Sequence, residues 1–327
     1  MRATVVIPCY QPDANFEKML ADLNAQTSQE FFVILADDGN NPPLAPRVAV
    51  ALERPHEVIR FDQNRGIVAG LNACIAAATT PFIVRMDADD RMPKDRIARQ
   101  LAFMDACPEV DVAGAAMAVF GSGIRVWTKP EDHVSIQASL LWGPSLNHPT
   151  LVAKTPVMQA HPYPEGFPLA EDYALWLHMF KARVRMANDT TIAVHYRMEG
   201  QNTSQDGSER RATRYTHMFK HALSSLLGEE VGQALRPGVG AGCHHVLAGM
   251  QPPSKIRPAP EVVEAHAHAL LEALNSLKEP WAEQAELEVR VRLKRALGKG
   301  CWHKLDAVWA LGRLRPADWK LLLNSNR

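Results

Sequence analysis

No stretch of about eighteen uncharged apolar residues occurs in the 327-residue chain, so the sequence offers no segment suited to cross a bilayer as a helix. The opening MRATVVIPCYQPD enters an apolar strand after a single Arg and lacks the cleavage pattern of a secretory signal. Both absences predict a cytoplasmic chain. Cysteine is scarce: Cys9, Cys74, Cys107, Cys243 and Cys301 are scattered with no CxxC pair, which excludes a disulfide framework and a zinc ribbon and leaves no evident thiol nucleophile. Internal repeats and low-complexity tracts are missing too, and with a formal net charge of zero no nucleic-acid partner is expected.

What the chain has is 46% hydrophobic residues, ample for a packed core, and a length that fits one large domain with an appendage or two domains. The balanced charge hides an asymmetry. Residues 290–327 hold ten Lys or Arg against two Asp, leaving 26 basic and 34 acidic side chains in the rest. A basic segment of this kind calls for a partner.

Short apolar runs alternate with helix-like segments along the first half. Thr4–Pro8, Phe31–Ala36, Glu57–Phe61 and Phe82–Met86 are predicted strands; Asn15–Gln26, Gly66–Ala78 and Pro93–Cys107 are predicted helices. Such alternation predicts an α/β fold, a mostly parallel sheet flanked by helices, whose ligands sit beyond the C-terminal strand ends. Less regular strands follow through DVAGAAMAVFG, IRVW and TTIAVHYRM, with an apolar helix at AEDYALWLHMF. Beyond Arg210 the pattern is helical, with a break at RPGVGAGC, a proline-rich linker at QPPSKIRPAPE, and amphipathic segments at Glu261–Leu277 and Glu283–Leu297. The predicted organisation is a domain over residues 1–205 and a mainly helical region over 206–327.

Acidic residues collect where strands end. Asp87, Asp89 and Asp90 follow the fourth predicted strand, and Asp37 and Asp38 follow the second. Carboxylates this close repel one another unless a cation, hydrogen-bond donors or water offset the charge. A solvated turn explains a single cluster. Several clusters on one rim of a parallel sheet point instead to a ligand and a cation site. Glu171 and Asp172 open a helix, where acids are favoured by the macrodipole alone.

In their order and spacing across residues 3–205, VVIPCY, ADDGN, NRGIVAGLN, DADD, NHPT, AEDYALWL, HYR and NTS resemble the family 2 glycosyltransferases of the GT-A fold. The resemblance implies a Rossmann-like mixed sheet, a nucleoside-diphosphate-sugar donor with a UDP-sugar favoured, Mn²⁺ or Mg²⁺, and inversion at the anomeric carbon. Asp89 matches the metal ligand, and Asp87 the position near the donor ribose and the metal. Pro8, Tyr10 and Asp38 match the base pocket, and Arg65 a basic residue near the base or diphosphate. His148 and Arg197 match basic positions that cover the diphosphate. Asp172 matches the general base, with Glu171 orienting the acceptor or the helix. A helix N-terminus lowers a carboxylate's pKa, so a working base at Asp172 requires an offset by burial. The chain departs from the pattern at Glu199, where many relatives carry His.

Membrane spans and the QxxRW motif of processive polysaccharide synthases are missing, which predicts addition of one sugar to an acceptor glycan or a lipid-linked acceptor of cell-surface polysaccharide or lipopolysaccharide type. The basic tail with Trp302, Trp309 and Trp319 is explained by an interfacial membrane helix, by packing on the domain, or by a homodimer contact. Two other classes are weighed. Sugar-1-phosphate nucleotidyltransferases need a Gly-rich loop that CYQPDANF lacks, and a non-catalytic nucleotide-sugar-binding subunit is separated from an enzyme only by turnover.

Overall fold

A computed structural model of the chain describes residues 1–120, 125–167, 169–197, 208–250 and 258–297. It divides into two compact units, one of Met1–Ile136 with Pro144–Ser204, the other of Gln137–Gly143 with Gln205–Arg327.

In the first unit, β1 (Ala3–Cys9), α1 (Asn15–Asn24), β2 (Phe31–Asp38), α2 (Ala45–Ala51), β3 (His56–Phe61), α3 (Ile67–Ala77), β4 (Phe82–Arg85) and α4 (Arg96–Ala106) follow one another as the periodicity predicts, with α2 added. Pro93 lies ahead of α4 rather than inside it. Then come β5 (Val112–Phe120), β6 (Arg125–Trp127), α5 (His133–Ser139), a 3₁₀ turn at His148–Thr150, β7 (Val152–Lys154), α6 (Thr155–Ala160), α7 (Glu171–Lys181) and β8 (Met186–Arg197). The sheet runs β3-β2-β1-β4-β7-β5-β6, with β8 beside β5. Pairings β1·β2, β1·β4, β2·β3 and β5·β8 are parallel, while β7 and β6 run against their neighbours, so the sheet is mixed and mostly parallel.

Alternation along the strands sets the two faces. Val5, Ile7, Val33, Leu35 and Val84 join Phe16, Met19, Leu20 and Leu23 of α1 and Ile97, Leu101 and Met104 of α4 in one apolar core. The alternate residues Val6, Ile34 and Ile83 are equally buried, and α3 packs against β1 and β2. Burial on both faces explains why β1, β2 and β4 read as near-continuous apolar runs, whereas the edge strand β3 (HEVIRF) is only half-buried. Because β1, β2 and β4 are parallel neighbours, Cys9, Asp38 and Arg85 end at one rim.

The second unit holds α8 (Ser208–Leu227), α9 (Glu229–Gly240), α10 (Cys243–Leu247), α11 (Pro260–Asn275) and α12 (Pro280–Leu297). The expected break at RPGVGAGC falls at the C-terminal end of that segment: α9 runs through Pro237 to Gly240, and the chain turns at Gly242, whose φ is 84°. α11 and α12 place Leu270, Leu274, Ala285, Val289 and Leu293 inside. His244 and His245, which a Gly-rich context suggests are loop residues, are fully buried in α10. The first stretch of the basic segment is packed helix, since Val291 and Leu293 are buried and the Arg292 guanidinium stacks 4.6 Å from the Trp142 ring centroid. Glu199, the NTS triplet and residues 298–327 lie outside the described residues. No described helix is long and apolar enough to cross a membrane.

Candidate active site

At the ends of β1 and β2 the chain spends most of its polar groups on holding its own shape. Asp37 is fully buried, accepting from the Asn40 amide and side chain at 3.0 and 2.7 Å, from Leu44 N–H at 2.9 Å and from Arg60 at 2.7 Å. These donors outweigh its burial and hold its carboxyl below the ordinary range. Asn40 also donates to the Cys9 carbonyl at 2.9 Å and accepts from Gln11 N–H at 2.6 Å, tying the two strand ends together. Asp38 is 4% exposed and accepts from Asn64 Nδ2 at 3.0 Å, Arg65 N–H at 2.6 Å and Gly66 N–H at 2.9 Å. It therefore fixes the NRG turn, with little acceptor capacity left over. Arg65 is exposed, its guanidinium 4.8 Å from the Phe61 ring centroid, while Pro8 is half-buried and Tyr10 is exposed. All four expected residues stand at one end of the parallel strands.

The DADD loop follows β4 on the same rim. Arg85, buried at the end of β4, grips Asp87 with its two terminal guanidinium nitrogens. Arg197, the last residue of β8, reaches Asp13 at 2.8 Å and Asp89 at 3.3 Å, and its backbone N–H donates to Asp90 Oδ1 at 3.0 Å. A backbone bridge between Arg91 and His195 brings β8 to this loop; His195 contributes main chain there, as expected of a strand residue. Burial raises the pKa of Asp87, Arg85 draws it back, and Asp89 pushes it up again. Asp90 lies well above the usual carboxylate range through burial and the charge of Asp87, and its Oδ2 is buried with no hydrogen-bond partner. Three cations act on the cluster: Arg85 on Asp87, Arg197 on Asp89, and the fully buried Arg96 on both Asp87 and Asp90. Among the described residues no group of three or more His, Cys, Asp or Glu is arranged to hold a metal ion.

The third part is the start of α7, whose N-cap residue Ala170 has no side chain to offer. Asp172 Oδ1 accepts Tyr173 N–H at 2.7 Å, one of the amides a helix start leaves unpaired. Part of Asp172 meets solvent, yet its carboxyl is crowded by protein, and this burial raises its pKa against the Tyr173 N–H, Lys129 and Arg85. The offset that a base requires here is thus in place. Glu171 is buried, and desolvation followed by the charge of Asp172 lifts it to about 7. His148 Nδ1 lies 4.0 Å from Glu171 Oε1, while its Nε2 shares a hydrogen bond with the Tyr163 hydroxyl at 2.7 Å. Burial and then Arg85 hold His148 well below its ordinary pKa. His148 therefore stands here as a neutral imidazole, its Nε2 engaged with the Tyr163 hydroxyl.

Four residues of this site escape a reading by motif. Arg85 is the centre, affecting Asp87, Glu171, Asp172 and His148. Its signal was an Arg inside the apolar run FIVRM, a charge that burial allows only with a partner. Tyr163 is fixed by Asn72, which donates to its carbonyl at 3.0 Å and accepts its N–H at 2.9 Å. Asp13 and Lys129 lie in stretches with no periodicity to mark them. Cys9 and Cys74 are pushed up to about 12 by burial first, which makes them inert thiols.

Comparison with known proteins now adds to this geometry. The model of the family described as glycosyl transferase family 2 matches residues 4–155. An uncharacterized glycosyltransferase of Haemophilus influenzae is 28% identical over 208 residues, 61% of this chain and 76% of that protein. The amylovoran biosynthesis glycosyltransferase AmsE of Erwinia amylovora is 28% identical over 195 residues, 57% of this chain and 72% of that protein. Among solved structures, Staphylococcus aureus TarS 1–349 in complex with UDP-GlcNAc superposes with a TM-score of 0.60 at 16% identity, covering 91% of this chain and 89% of that one. The mannosyltransferase PcManGT of Pyrobaculum calidifontis, in complex with GDP-Man and Mn²⁺, gives 0.54 at 15% identity, covering 93% and 88%. With that family match and those relatives, the chain is a glycosyltransferase whose residues 4–155 match glycosyl transferase family 2.

Proposed function

We propose that the protein moves one sugar, with inversion, from a nucleoside-diphosphate sugar to an acceptor glycan or lipid-linked glycan of the cell-envelope type. The observation that carries this reading is the acidic loop of Asp87, Asp89 and Asp90 on the same strand-end rim as Asp38, with the Asp172 carboxyl desolvated at the start of α7. Residues 1–205 would hold donor and catalytic groups, and 206–327 would form a helical region. Support for a nucleotide-sugar donor comes from the ligands of the superposing TarS and PcManGT structures, and a UDP-sugar is the first to test.

What supports a divalent cation is the chemistry of the loop, which gathers three carboxylates and leaves Asp90 Oδ2 without a partner; in this arrangement Arg85 holds Asp87 and Arg197 meets Asp89, so both would have to turn toward the ion. Asp89 with Asp87 would hold Mn²⁺ or Mg²⁺, the diphosphate and water completing a hard-oxygen shell. The ion supplies Lewis-acid stabilisation of the charge that develops on the leaving diphosphate. Arg197, beside Asp89, is suited to meet the same phosphates, and His148 to add a neutral hydrogen bond. Pro8, Tyr10 and Arg65 line the base side, with Asp38 presenting the turn that carries Arg65. Asp172 takes the proton of the acceptor hydroxyl as its oxygen attacks the anomeric carbon from the face opposite the leaving group. Glu171, beside it, orients the acceptor.

The test is calorimetry of UDP-, GDP- and dTDP-sugars with and without Mn²⁺. Binding of one donor strengthens with the metal, and Asp89→Ala removes that gain. Equal binding with and without metal in both proteins would defeat the assignment.

A further inference from the structure

Arg96 is the first residue of α4, it is fully buried, and its hydrogen-bond partners are all neutral. A cation at a helix N-terminus opposes the macrodipole, and a buried guanidinium with no carboxylate in contact is costly. Burial and then Arg85 pull its pKa down to about 9, against the opposing charges of Asp90 and Asp87, so it is still a cation near neutral pH. Helix formation and core packing alone favour another residue here. What Arg96 holds explains its presence.

β4 pairs with β7 only as far as Val84 and Val152. One residue on, the Arg85 N–H donates to the Leu151 carbonyl at 2.9 Å, so the Arg85 carbonyl points to the same side, where the neighbouring chain is the 3₁₀ turn His148–Thr150 and no longer a strand. Such a turn leaves its last carbonyls without donors of its own. The buried carbonyls of Arg85, Pro149 and Thr150 thus meet at a split in the sheet and need partners. Arg96 and Gln100, one turn apart on α4, supply them. Arg96 Nη2 donates to the Arg85 carbonyl at 2.7 Å and to the Pro149 carbonyl at 2.8 Å, Nη1 donates to Met86 Sδ at 2.9 Å, and Nε donates to Gln100 Oε1 at 2.9 Å. Gln100 Nε2 in turn donates to the Thr150 carbonyl at 2.6 Å. A planar guanidinium fixes these directions, whereas an ammonium gathers its donors at one point.

Each side of the split carries part of the site. On one, Arg85 grips Asp87 and Met86 leads into the acidic loop. On the other, His148 opens the turn, shares a hydrogen bond with Tyr163 and lies 4.0 Å from Glu171 at the start of α7. We infer that Arg96, working with Gln100, is a positioning residue for sugar transfer, its guanidinium fixing the spacing between the acidic loop and the His148 turn. The inference rests on the assignment of the acidic loop to the donor and of Asp172 to the acceptor. In the step it serves, the acceptor hydroxyl proton passes to Asp172 as the oxygen bonds to the anomeric carbon. The bond from that carbon to the diphosphate oxygen breaks, and its electron pair leaves with the nucleoside diphosphate. The two reacting partners are thus held from opposite sides of the split, and a misplacement of about 1 Å between them costs about 100-fold in rate.

The first experiment needs no substrate. Full-length Arg96→Lys, which keeps a charge and loses the fork, is compared with wild type by amide hydrogen exchange. The Arg85 N–H, bonded to the Leu151 carbonyl, and the Ala115 N–H, bonded to Thr150 Oγ1 at 2.7 Å, report on the two sides of the split. Both are expected to exchange about tenfold faster or more, while the amides of β2 keep their wild-type rates. An unchanged rate at either reporter, or a rise shared by β2, overturns the inference; Gln100→Met, which removes the link to Thr150, is read by the same criteria should Arg96→Lys fail to fold. Hydrolysis of the UDP-, GDP- and dTDP-sugars, with Mn²⁺ present, gives the second readout. For a sugar that wild type hydrolyses, kcat falls about 100-fold in the variant while KM for the donor stays within about twofold. Loss of donor binding in step with kcat, the mark of a general structural brace, overturns the positioning role. Should wild type bind none of these sugars, the proposed function fails, and hydrogen exchange still decides whether Arg96 joins the two sides.

Discussion

Glu171 shows how a single side chain carries the tension of this site. Its motif neighbour Asp172 and its burial lift it to about 7 in the folded protein, against 4.5 for an ordinary glutamate. A raised carboxylate binds its proton more tightly when folded, so stability falls as pH rises from about 4.5 through about 7, by up to about 3 kcal/mol. Glu171→Gln, neutral at every pH, is expected to be more stable than wild type at pH 8 by roughly that amount and similar to it near pH 4.5. Urea denaturation at both pH values checks this, and an equal difference at the two would refute the ionisation cost. That Glu171 and Asp172 open a helix was legible in AEDYALWL. Whether they are ordinary first-turn acids or a desolvated pair was not, because the groups that surround them come from residues 85, 129, 148 and 163.

Elements explain the rest of the geometry by how closely they approach. At the end of β2, Gly39 adopts φ 75°, and a Cβ there would meet the backbone of Gln63 and Asn64 at 2.5 to 2.8 Å. Gly39→Ala is therefore expected to cost about 2 kcal/mol or more and to displace the turn that Asp38 anchors, weakening donor binding beyond the loss in stability. A thermal melt with parallel donor calorimetry separates the two effects. In the helical unit, His244 Nε2 donates to the Leu141 carbonyl at 2.8 Å, so its Nδ1 accepts from His266 Nε2 at 3.2 Å, and both rings are neutral. Desolvation holds His266 at about 4. A histidine depressed by folding takes no proton until well below its unfolded value, so stability is lost as pH falls from 6.5 toward about 4, by about 3 kcal/mol for this residue. His266→Gln keeps a donor for His244 and should lose less stability between pH 7 and pH 5 than wild type, read by denaturant midpoints. Helix periodicity predicted α11, but an HH pair in a Gly-rich context carries no sign of burial. Its environment is set by residues 141 and 266, each more than twenty positions away.

For the whole molecule, the charge asymmetry is the feature that a partner would sense. Its acidic body includes the donor rim, and its basic segment begins inside α12, where Val291, Leu293 and the stacked Arg292 serve packing. A membrane contact of the rest of the basic segment is tested on residues 298–327. Removing only those residues is expected to reduce sedimentation with liposomes containing anionic lipid at low salt, while leaving the stability of α12 unchanged. Equal sedimentation of both proteins would leave the tail a packing or dimer role. Removing residues 290–297 as well would confound the measurement by opening the helical unit.

Composition and periodicity settled on their own that this is an α/β protein with parallel strands at its start, because strands buried on both faces must be apolar throughout and their crossover helices must repeat at helical spacing. The order of short acidic and basic motifs was enough to point to the family. Sequence could not tell which carboxylates were free to act. Asp37 and Asp38 stand side by side in ADDGN, yet one is consumed by Asn40, Leu44 and Arg60 and the other by residues 64–66. Only the tertiary structure decided that, and it also paired the buried Arg85 with Asp87 of the DADD loop. The physical reason is that ionisation and hydrogen-bond capacity depend on distance in space and on the exclusion of water, and neither is a function of separation along the chain.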